Sequence, residues 1–360
     1  MYDKELLALK KANRFRQRKL YDSYVVDMAS NDYLGLSNRK KSLKNAYKLL
    51  KKYKTISPKA SMLVNGYHPL HQKFERLMCK LNGFEDGIVV GSGFLANLAL
   101  IESLVRKSDM LFMDEEYHAS GVMAARMLEG RVVYFRHNDA THLKELLQTH
   151  SYKRAIVAIE GIYSMGGDLC NKEIFDIADE FNALLVVDEA HSSGVVGQRL
   201  LGVYEYYGIQ IKPNHIKMGT LGKAYGSYGA YILASSKIIS FLQNRAKPII
   251  YTTAPSLFDI ALAYVNVKYI IKNSHKLNAK KQKLQKIVKK YLGVKIDALI
   301  VAIDIADNQK VLQIQQQLLQ KGILVGAIRQ PTVPSAIIRL IPNLAIKPKA
   351  LRFVLKSMVK

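Results

Sequence analysis

Cysteine is scarce in this chain, which has only Cys79 and Cys170 among 360 residues. Two cysteines cannot supply the several cross-links on which small secreted folds depend. Disulfides are therefore excluded as the scaffold, and we expect a protein of the reducing cytoplasm. Cys170 is interpreted as a packing or surface thiol rather than as a nucleophile.

Long apolar runs and a leader pattern are missing too. No apolar run reaches the roughly 20 residues that a helix needs to cross a bilayer. The segment Met1-Tyr2-Asp3-Lys4-Glu5 is charged and lacks the apolar core of a signal peptide. We therefore expect a cytoplasmic protein that has no membrane partner.

Three common catalytic motifs are also absent. His68, His71 and His118 show neither the H-E-x-x-H spacing of zinc enzymes nor cysteine partners, so no metal site is expected. Gly91-Ser92-Gly93 is not the G-x-S-x-G of a serine nucleophile. The same segment lacks the spacing of a dinucleotide fingerprint and of a P-loop lysine.

Acidic residues are scarce relative to basic ones: 29 Asp and Glu stand against 54 Lys and Arg, a formal net charge of +25 at pH 7. Such a charge suits a nucleic-acid-binding protein, a surface of solvated lysines, or a protein that attracts an acidic partner or a polyanion of the coenzyme A type. The lysine pairs lie in helix-like segments without interleaved aromatic residues or a nucleic-acid motif, which favours solvated helix faces and argues against a nucleic-acid partner. These pairs are Lys40-Lys41, Lys51-Lys52, Lys280-Lys281 and Lys289-Lys290.

Short apolar runs alternate with helix-length segments over most of the chain. This alternation predicts an α/β fold with a mostly parallel, doubly wound sheet covered on both faces. The predicted strands are Ile88–Val90, Met110–Met113, Val132–Phe135, Ala155–Ile159, Leu184–Val187, His215–Met218 and Ala230–Ala234.

The two ends of the chain differ from this pattern. Residues 1–20 are predicted to form a basic amphipathic helix, and residues 256–291 a long helix. A smaller α+β domain is predicted from strands and helices after it, which are Ala298–Ile305, Asn308–Lys321, Ile323–Ile328 and Pro348–Lys360. We thus expect an N-terminal helix and extended segment (1–45), a large domain (46–250) and a small C-terminal domain (251–360).

One lysine, Lys223, lies among small residues directly after a predicted strand, in the loop Thr220-Leu221-Gly222-Lys223-Ala224-Tyr225-Gly226. A lysine in such a loop can reach a bound aldehyde and form a Schiff base, although a Gly-Lys pair in a turn is also a common structural feature. Asp188 ends another apolar strand 35 residues earlier, about one βαβ unit away, so both can face one crevice. Asp188 is either a helix N-cap or a buried carboxylate that keeps a ring nitrogen protonated.

Other strand ends carry polar or glycine residues. In Gly91–Asn97, glycines allow backbone N–H groups to approach an anion, and a single phosphate fits better than a nucleotide. His118 is either a structural or solvated residue or a group that stacks on a bound ring. Ser164 follows a further strand and is read on its own as a turn residue.

Together these segments resemble the α-oxoamine synthases, which are pyridoxal-phosphate enzymes of aminotransferase-like fold type I. The likeness runs from Ser30 to about Arg339, with its segments in the family's order. It implies a large domain with a mostly parallel seven-stranded sheet, a smaller α+β C-terminal domain, pyridoxal 5′-phosphate as cofactor, and a homodimer with shared active sites. The segments are Ser30–Leu36, Gly91–Asn97, His118–Ser120, Glu160–Met165, Asp188–His191 and Thr220–Lys223.

The resemblance also implies four catalytic residues. Lys223 matches the Schiff-base lysine, and Asp188 matches the partner of the pyridine nitrogen. His191 matches the residue near the cofactor's phenolic oxygen, and His118 matches the ring-stacking histidine.

Further binding residues follow from the same resemblance. Gly93, Phe94 and Thr220 match phosphate ligands, and Ser164 matches a position beside the cofactor. Thr253 matches a phosphate contact that the neighbouring subunit supplies.

Substrate contacts and the branch of the family rest on fewer residues. Asn31 matches a substrate-side contact and Arg329 a carboxylate anchor. Arg329 lies in Ala327–Pro334, which is similar to the branch that condenses L-alanine with a pimeloyl thioester, carried on coenzyme A or an acidic acyl carrier protein, in biotin synthesis. The 2-amino-3-ketobutyrate ligases and 5-aminolevulinate synthases, which use glycine, are the alternatives.

Met62 and Gly166 replace an arginine and an acidic residue that are common in the family, which concerns handling of the acyl group.

Overall fold

The computed structural model describes residues 1–128 and 131–358, and the chain divides into two compact units. Unit 1 comprises Met1–Tyr33, Met165–Gly167 and Lys280–Lys360. Unit 2 comprises Leu34–Ser164 and Asp168–Ala279. The segment boundaries predicted at residues 45 and 250 stay predictions.

Unit 2 is built on a seven-stranded sheet, counted over the described residues, with the order β2-β8-β7-β6-β5-β3-β4. The pairs from β4 through β3, β5 and β6 to β7 are parallel, and β8 runs antiparallel to β7 and β2. All six residues of β5 are buried, as expected for a strand covered on both faces. The strands are β2 (Asp86–Val90), β3 (Met110–Asp114), β4 (Val132–Phe135), β5 (Ala155–Glu160), β6 (Leu184–Asp188), β7 (His215–Thr220) and β8 (Ala230–Ala234).

Helices cover this sheet, and local signals fix where several of them begin. Helix α3 begins after the N-cap His68, carries Pro69 in its first turn, and ends at Gly83 in the left-handed conformation. Apolar residues of α4, among them Leu100, pack against the sheet, and each such buried side chain stabilises the fold by about 1.5–3 kcal/mol. The helices that begin in unit 2 are α2 (Lys40–Leu50), α3 (Pro69–Asn82), α4 (Gly93–Leu104), α5 (Ala119–Ala125), α6 (Ala140–Thr149), α7 (Glu173–Glu180), α8 (Val203–Tyr207), α9 (Ser236–Arg245), α10 (Lys247–Ile250) and α11 (Leu257–Leu292), with a single π-helical turn at Met62–Gly66.

Two loops of unit 2 touch at a glycine. Gly194 has a φ of 84°, and a Cβ atom on it would lie 2.4 Å from Cβ of Ala224. Only glycine tolerates both that backbone conformation and that approach. The contact holds the loop after β6 against the loop after β7.

Unit 1 contains a four-stranded sheet with the order β1-β10-β11-β9, again counted over the described residues. Strand β1 pairs parallel with β10, and the other two pairs are antiparallel. The last part of α11 packs with this sheet through Leu284 and Val288. The remaining elements are α1 (Asp3–Lys11), β1 (Val26–Met28), β9 (Val301–Asp304), α12 (Asn308–Gln320), β10 (Ile323–Ile328), β11 (Ile337–Leu340) and α13 (Pro348–Met358).

The predicted fold class is confirmed, and the seven predicted strands of the large sheet are observed with ends that differ by at most two residues. The prediction of a helix over residues 1–20 was wrong beyond Lys11. No residue of α1 is buried, so packing does not extend this helix past its own local propensity. Strand β11 was not predicted, and the last two residues of the predicted final helix lie outside the described residues. No helix in the described ranges has both the length and the apolar character to cross a membrane.

Candidate active site

A cavity of about 210 Å³ lies in unit 2, at the ends of β5, β6 and β7. These parallel strands end at the same edge of the sheet, which is where ligands bind in open α/β folds. The residues that line the cavity are Gly93, Phe94, Asn97, His118, Ser120, Glu160, Asp188, Ala190, His191, Met218, Thr220 and Lys223.

Asp188, the last residue of β6, is buried and held by two donors. Asn97 Nδ2 donates to its Oδ2 at 2.8 Å, and the Ala190 backbone N–H donates to its Oδ1 at 2.9 Å. The amide of Asn97 is itself fixed, because its Nδ2 also donates to Ser120 Oγ and its Oδ1 accepts from the Tyr117 hydroxyl, both at 2.8 Å. Asp188 therefore presents an oriented acceptor to a cationic or N–H group in the cavity.

His118 is the N-cap of α5. Its Nδ1 accepts from the Ser120 backbone N–H at 3.2 Å and lies 2.7 Å from Ser120 Oγ. Burial lowers the pKa of His118, and the positive charge of Lys223 lowers it further against the opposing charge of Asp188. The result is a neutral, fixed imidazole, which suits stacking on a flat ring.

Lys223 and His191 lie next to each other in the cavity. Lys223 Nζ lies 2.7 Å from His191 Nε2, within hydrogen-bonding distance. An amine so close to an imidazole can pass a proton to it and take it back. The loops that carry the two side chains touch at Gly194 and Ala224.

The end of the cavity formed by α4 and Thr220 suits an anion. Ser92 caps α4 by accepting from the Leu95 N–H at 3.2 Å, so the helix begins at Gly93 with its N-terminal N–H groups facing outward. A Cβ on Gly93 would lie 3.7 Å from Cβ of Thr220, which shows how closely the two segments approach. A phosphate fits such a position.

Glu160, the last residue of β5, is a second carboxyl group in the cavity. It is 1% exposed, and its Oε1 has no hydrogen-bond partner among the described residues. Burial raises the pKa of Glu160 well above its usual range, and the charge of Asp188 adds to this rise, while Lys223 opposes it.

A charged cluster lies at the neighbouring strand end. His137 Nδ1 is 3.0 Å from Asp114 Oδ1, and its Nε2 is 3.0 Å from Asp168 Oδ2. Tyr163 donates to the other Asp114 oxygen at 2.6 Å. Burial lowers the pKa of His137, but the hydrogen bonds and charges of the two aspartates outweigh it and raise the pKa to about 10. These four residues, the His137 cluster, tie β3 to the loop that carries Ser164.

The structure brings seven of the predicted site residues together around the cavity. Ser164 does not line it, but its backbone N–H donates to the Glu160 carboxyl. Thr253 is an exposed residue of unit 2 that does not line the cavity either. The seven residues are Gly93, Phe94, His118, Asp188, His191, Thr220 and Lys223.

Asn31 and Arg329 belong to unit 1. Asn31 Oδ1 accepts from Arg339 Nη1 at 3.0 Å. Arg329 donates to the backbone oxygen of Asn13 and lines a separate cavity of about 240 Å³ together with Arg14 and Arg16. None of the residues that line this cavity within the described chain is acidic.

Sequence reasoning assigned no role to Asn97, Ser120 or Glu160, which the structure places in the cavity. Glu160 ends a strand in the same way as Asp188, and this position at a strand end is the sequence signal that points to it. In the described ranges, no group of three or more His, Cys, Asp or Glu residues is arranged to hold a metal ion.

The sequence is similar to those of known proteins over most of its length. The family model for aminotransferase class I and II matches residues 23–354. The 8-amino-7-oxononanoate synthase of Helicobacter pylori is 46% identical over 341 residues, which cover 94% of this chain and 91% of the relative. The putative 8-amino-7-oxononanoate synthase of Aquifex aeolicus is 32% identical, with coverage of 99% and 97%.

Solved structures show the same fold. Serine palmitoyltransferase from S. paucimobilis, solved with a bound PLP-myriocin aldimine, superposes with a TM-score of 0.88 at 23% identity, covering 99% of this chain and 96% of that chain. The 8-amino-7-oxononanoate synthase of Francisella tularensis superposes with a TM-score of 0.76 at 25% identity, covering 94% and 98%.

Proposed function

This chain belongs to the class I and II aminotransferase family, and we propose that it condenses L-alanine with a pimeloyl thioester to give 8-amino-7-oxononanoate, carbon dioxide and a free thiol, a step of biotin synthesis. The observation that carries the proposal is the Lys223–His191 pair, 2.7 Å apart, in a cavity that Asp188 also lines. The identity of 46% with the Helicobacter pylori synthase supports the choice of reaction.

Pyridoxal 5′-phosphate fits the donor set of the cavity. Lys223 supplies the amine for covalent attachment, and the capped N-terminus of α4 with Thr220 suits the phosphate. Asp188 suits a protonated ring nitrogen. Both of its contacts, from Asn97 and Ala190, are hydrogen-bond donors, so the carboxylate is used as an acceptor and can accept from the ring N–H as well. His118 suits the ring face. Oε1 of Glu160, which has no partner in the described part of the chain, leaves a hydrogen-bonding position that a ligand can satisfy.

When bound, this cofactor supplies an electron-withdrawing ring that stabilises negative charge at the α-carbon of an amino acid. Asp188 holds the proton on the ring nitrogen, which keeps that ring effective. Lys223 would hold the cofactor, and its amine would also serve as the base that takes the α-proton of alanine. His191 Nε2, beside Nζ, receives or returns a proton during the steps that follow.

Substrate binding is proposed for Asn31 and Arg329. A guanidinium binds a carboxylate through two parallel hydrogen bonds, which fixes both position and orientation. Three arginines line the unit 1 cavity, and none of its lining residues in the described ranges is acidic, which supports an anion-binding role for Arg329.

A homodimer with shared active sites is also proposed, in which Thr253 of one subunit contacts the phosphate in the other. The exposure of Thr253 and of Tyr251 nearby in unit 2 supports this, because both side chains are available to a second copy. The net charge of +25 supports a carrier of opposite sign for the acyl group, either coenzyme A or an acidic acyl carrier protein.

The test replaces Lys223 with alanine, with the exposed Lys237→Ala as the matched control. Wild type and control should form a visible absorbance band with pyridoxal phosphate that shifts on borohydride reduction. Lys223→Ala should not, and it should lose about 10³-fold or more in product formation from alanine and pimeloyl thioester. Near-normal turnover by Lys223→Ala removes the assignment. If the wild type turns over glycine with an acetyl or succinyl thioester faster than alanine with the pimeloyl thioester, the proposed substrates are wrong but the proposed cofactor is not.

A further inference from the structure

Two carboxyl groups that line the cavity stand at the ends of neighbouring strands. Glu160 and Asp188 are register partners on the parallel strands β5 and β6, whose backbones are spaced about 4.8 Å apart. Residues in register on adjacent parallel strands project to the same face of a sheet. Both side chains line the same cavity, so the two groups act on each other and on whatever binds there.

The two groups have different hydrogen-bond partners. Asp188 accepts from the side chain of Asn97 and from the backbone of Ala190. Glu160 accepts from the Ser164 backbone N–H, and its other oxygen, Oε1, is buried without a partner among the described residues. Two donors stabilise a negative charge on Asp188, whereas a charge on Glu160 has less compensation.

Two buried neighbouring carboxyl groups share one charge at lower cost than they carry two. Two further charged groups act on Glu160: Asp114 at the end of β3 repels a second negative charge, and Lys223 attracts it. Two buried tyrosines also face Glu160 and remain neutral phenols, because burial raises the pKa of each; they are Tyr117 and Tyr163. Burial and Asp188 together raise the pKa of Glu160, which agrees with a proton on Glu160 and the charge on Asp188.

We propose that Glu160 is a further site residue, the neutral member of a carboxyl pair, whose Oε1–H donates a hydrogen bond to an acceptor atom of the ligand in the cavity while Asp188 carries the pair's single negative charge. This rests on the proposed function only for the identity of that ligand. The protonation of Glu160 belongs to the chain itself, with or without a ligand.

The first test is an infrared difference spectrum of the full chain, without cofactor, between wild type and Glu160→Gln at neutral pH. Wild type should show the carbonyl band of a protonated carboxyl group that Glu160→Gln lacks. The exposed Glu145→Gln on α6 is the matched control and should leave that band unchanged. Absence of the band from wild type overturns the proposal, whatever the protein catalyses.

The second test measures the affinity for pyridoxal phosphate. Glutamine keeps an acceptor for Ser164 and a donor in place of the Oε1–H, so Glu160→Gln should bind within about threefold of wild type. Glu160→Ala loses both and should bind about tenfold more weakly, the effect of one lost hydrogen bond. With rising pH, the wild type should weaken relative to Glu160→Gln, because only the wild type loses this proton.

The outcomes separate the two ideas. If Glu160→Gln weakens the affinity for pyridoxal phosphate as much as Glu160→Ala does, Glu160 is not a proton-bearing donor. The same holds if the affinities of wild type and Glu160→Gln change with pH in parallel. If none of the proteins binds pyridoxal phosphate, the proposed function fails, and the infrared band still decides the protonation of Glu160.

Discussion

The His137 cluster offers a stability measurement with a predicted pH dependence. Both ring nitrogens of His137 face carboxylates at 3.0 Å, so the folded protein binds a proton there that the unfolded chain holds less tightly. The change is His137→Gln, which fills similar space and removes the charge. His275→Gln is the control, because His275 is exposed on α11.

The magnitude follows from the pKa of His137, which rises from 6.5 to about 10. A shift of that size corresponds to an upper limit of about 4.8 kcal/mol, at about 1.36 kcal/mol for each pH unit. The His137 side chain is 24% exposed and that of Asp168 41%, so water screens the pair and we expect about 1–3 kcal/mol. A raised pKa in the folded state means that this contribution is complete below about pH 6.5, falls as the pH rises, and is gone above about pH 10.

The assay is urea denaturation at several pH values from 6 to about 10, with the free energy of unfolding compared between wild type and each variant. The difference between wild type and His137→Gln should shrink by about 1–3 kcal/mol over this range. His275→Gln should track the wild type throughout. A difference for His137→Gln that stays constant from pH 6 to 10 refutes the charged cluster and leaves only lost packing.

Three further outcomes are expected. Asp188→Asn should lower turnover by about 10²-fold or more with an unchanged circular dichroism spectrum, because an amide does not hold the ring proton; a loss below tenfold contradicts this role. Arg329→Lys should raise the KM for alanine more than the kcat falls, since lysine cannot form the two-pronged contact, and an unchanged KM removes Arg329 as the anchor. Raising salt from about 50 to about 500 mM should raise the KM for a carrier-bound acyl donor more than that for alanine, and equal changes exclude attraction by the basic surface.

Much of the fold was predictable because the central strands are short apolar runs. Strands such as Ala155–Glu160 are buried along their length, so they stand out from their polar flanks without knowledge of the partners. Strand β11 was not predicted, because it is defined by antiparallel pairing with β9 and β10, and its own sequence does not indicate these partners. The predicted end of α1 was too late. The basic composition continues to about residue 20, but no residue of α1 is buried, so no packing extends the helix beyond Lys11.

The candidate site divides in the same manner. Lys223 and Asp188 follow strands in recognisable segments, so their meeting could be predicted from topology. Glu160 and His137 take their properties from register and from side chains of other strands. Such properties depend on three-dimensional neighbours that no local pattern names.

Helix α4 begins at Gly93, beside Thr220, and carries Asn97 one turn later, with its amide on Asp188. One rigid helix thus positions both the anion-binding end and the carboxylate end of the cavity. A ligand anion that shifts the first turn of α4 therefore also shifts Asn97 and, through its hydrogen bond, the Asp188 carboxylate. Substitutions at Thr220 and Asn97 should then combine non-additively, although their side chains serve opposite ends of the cavity.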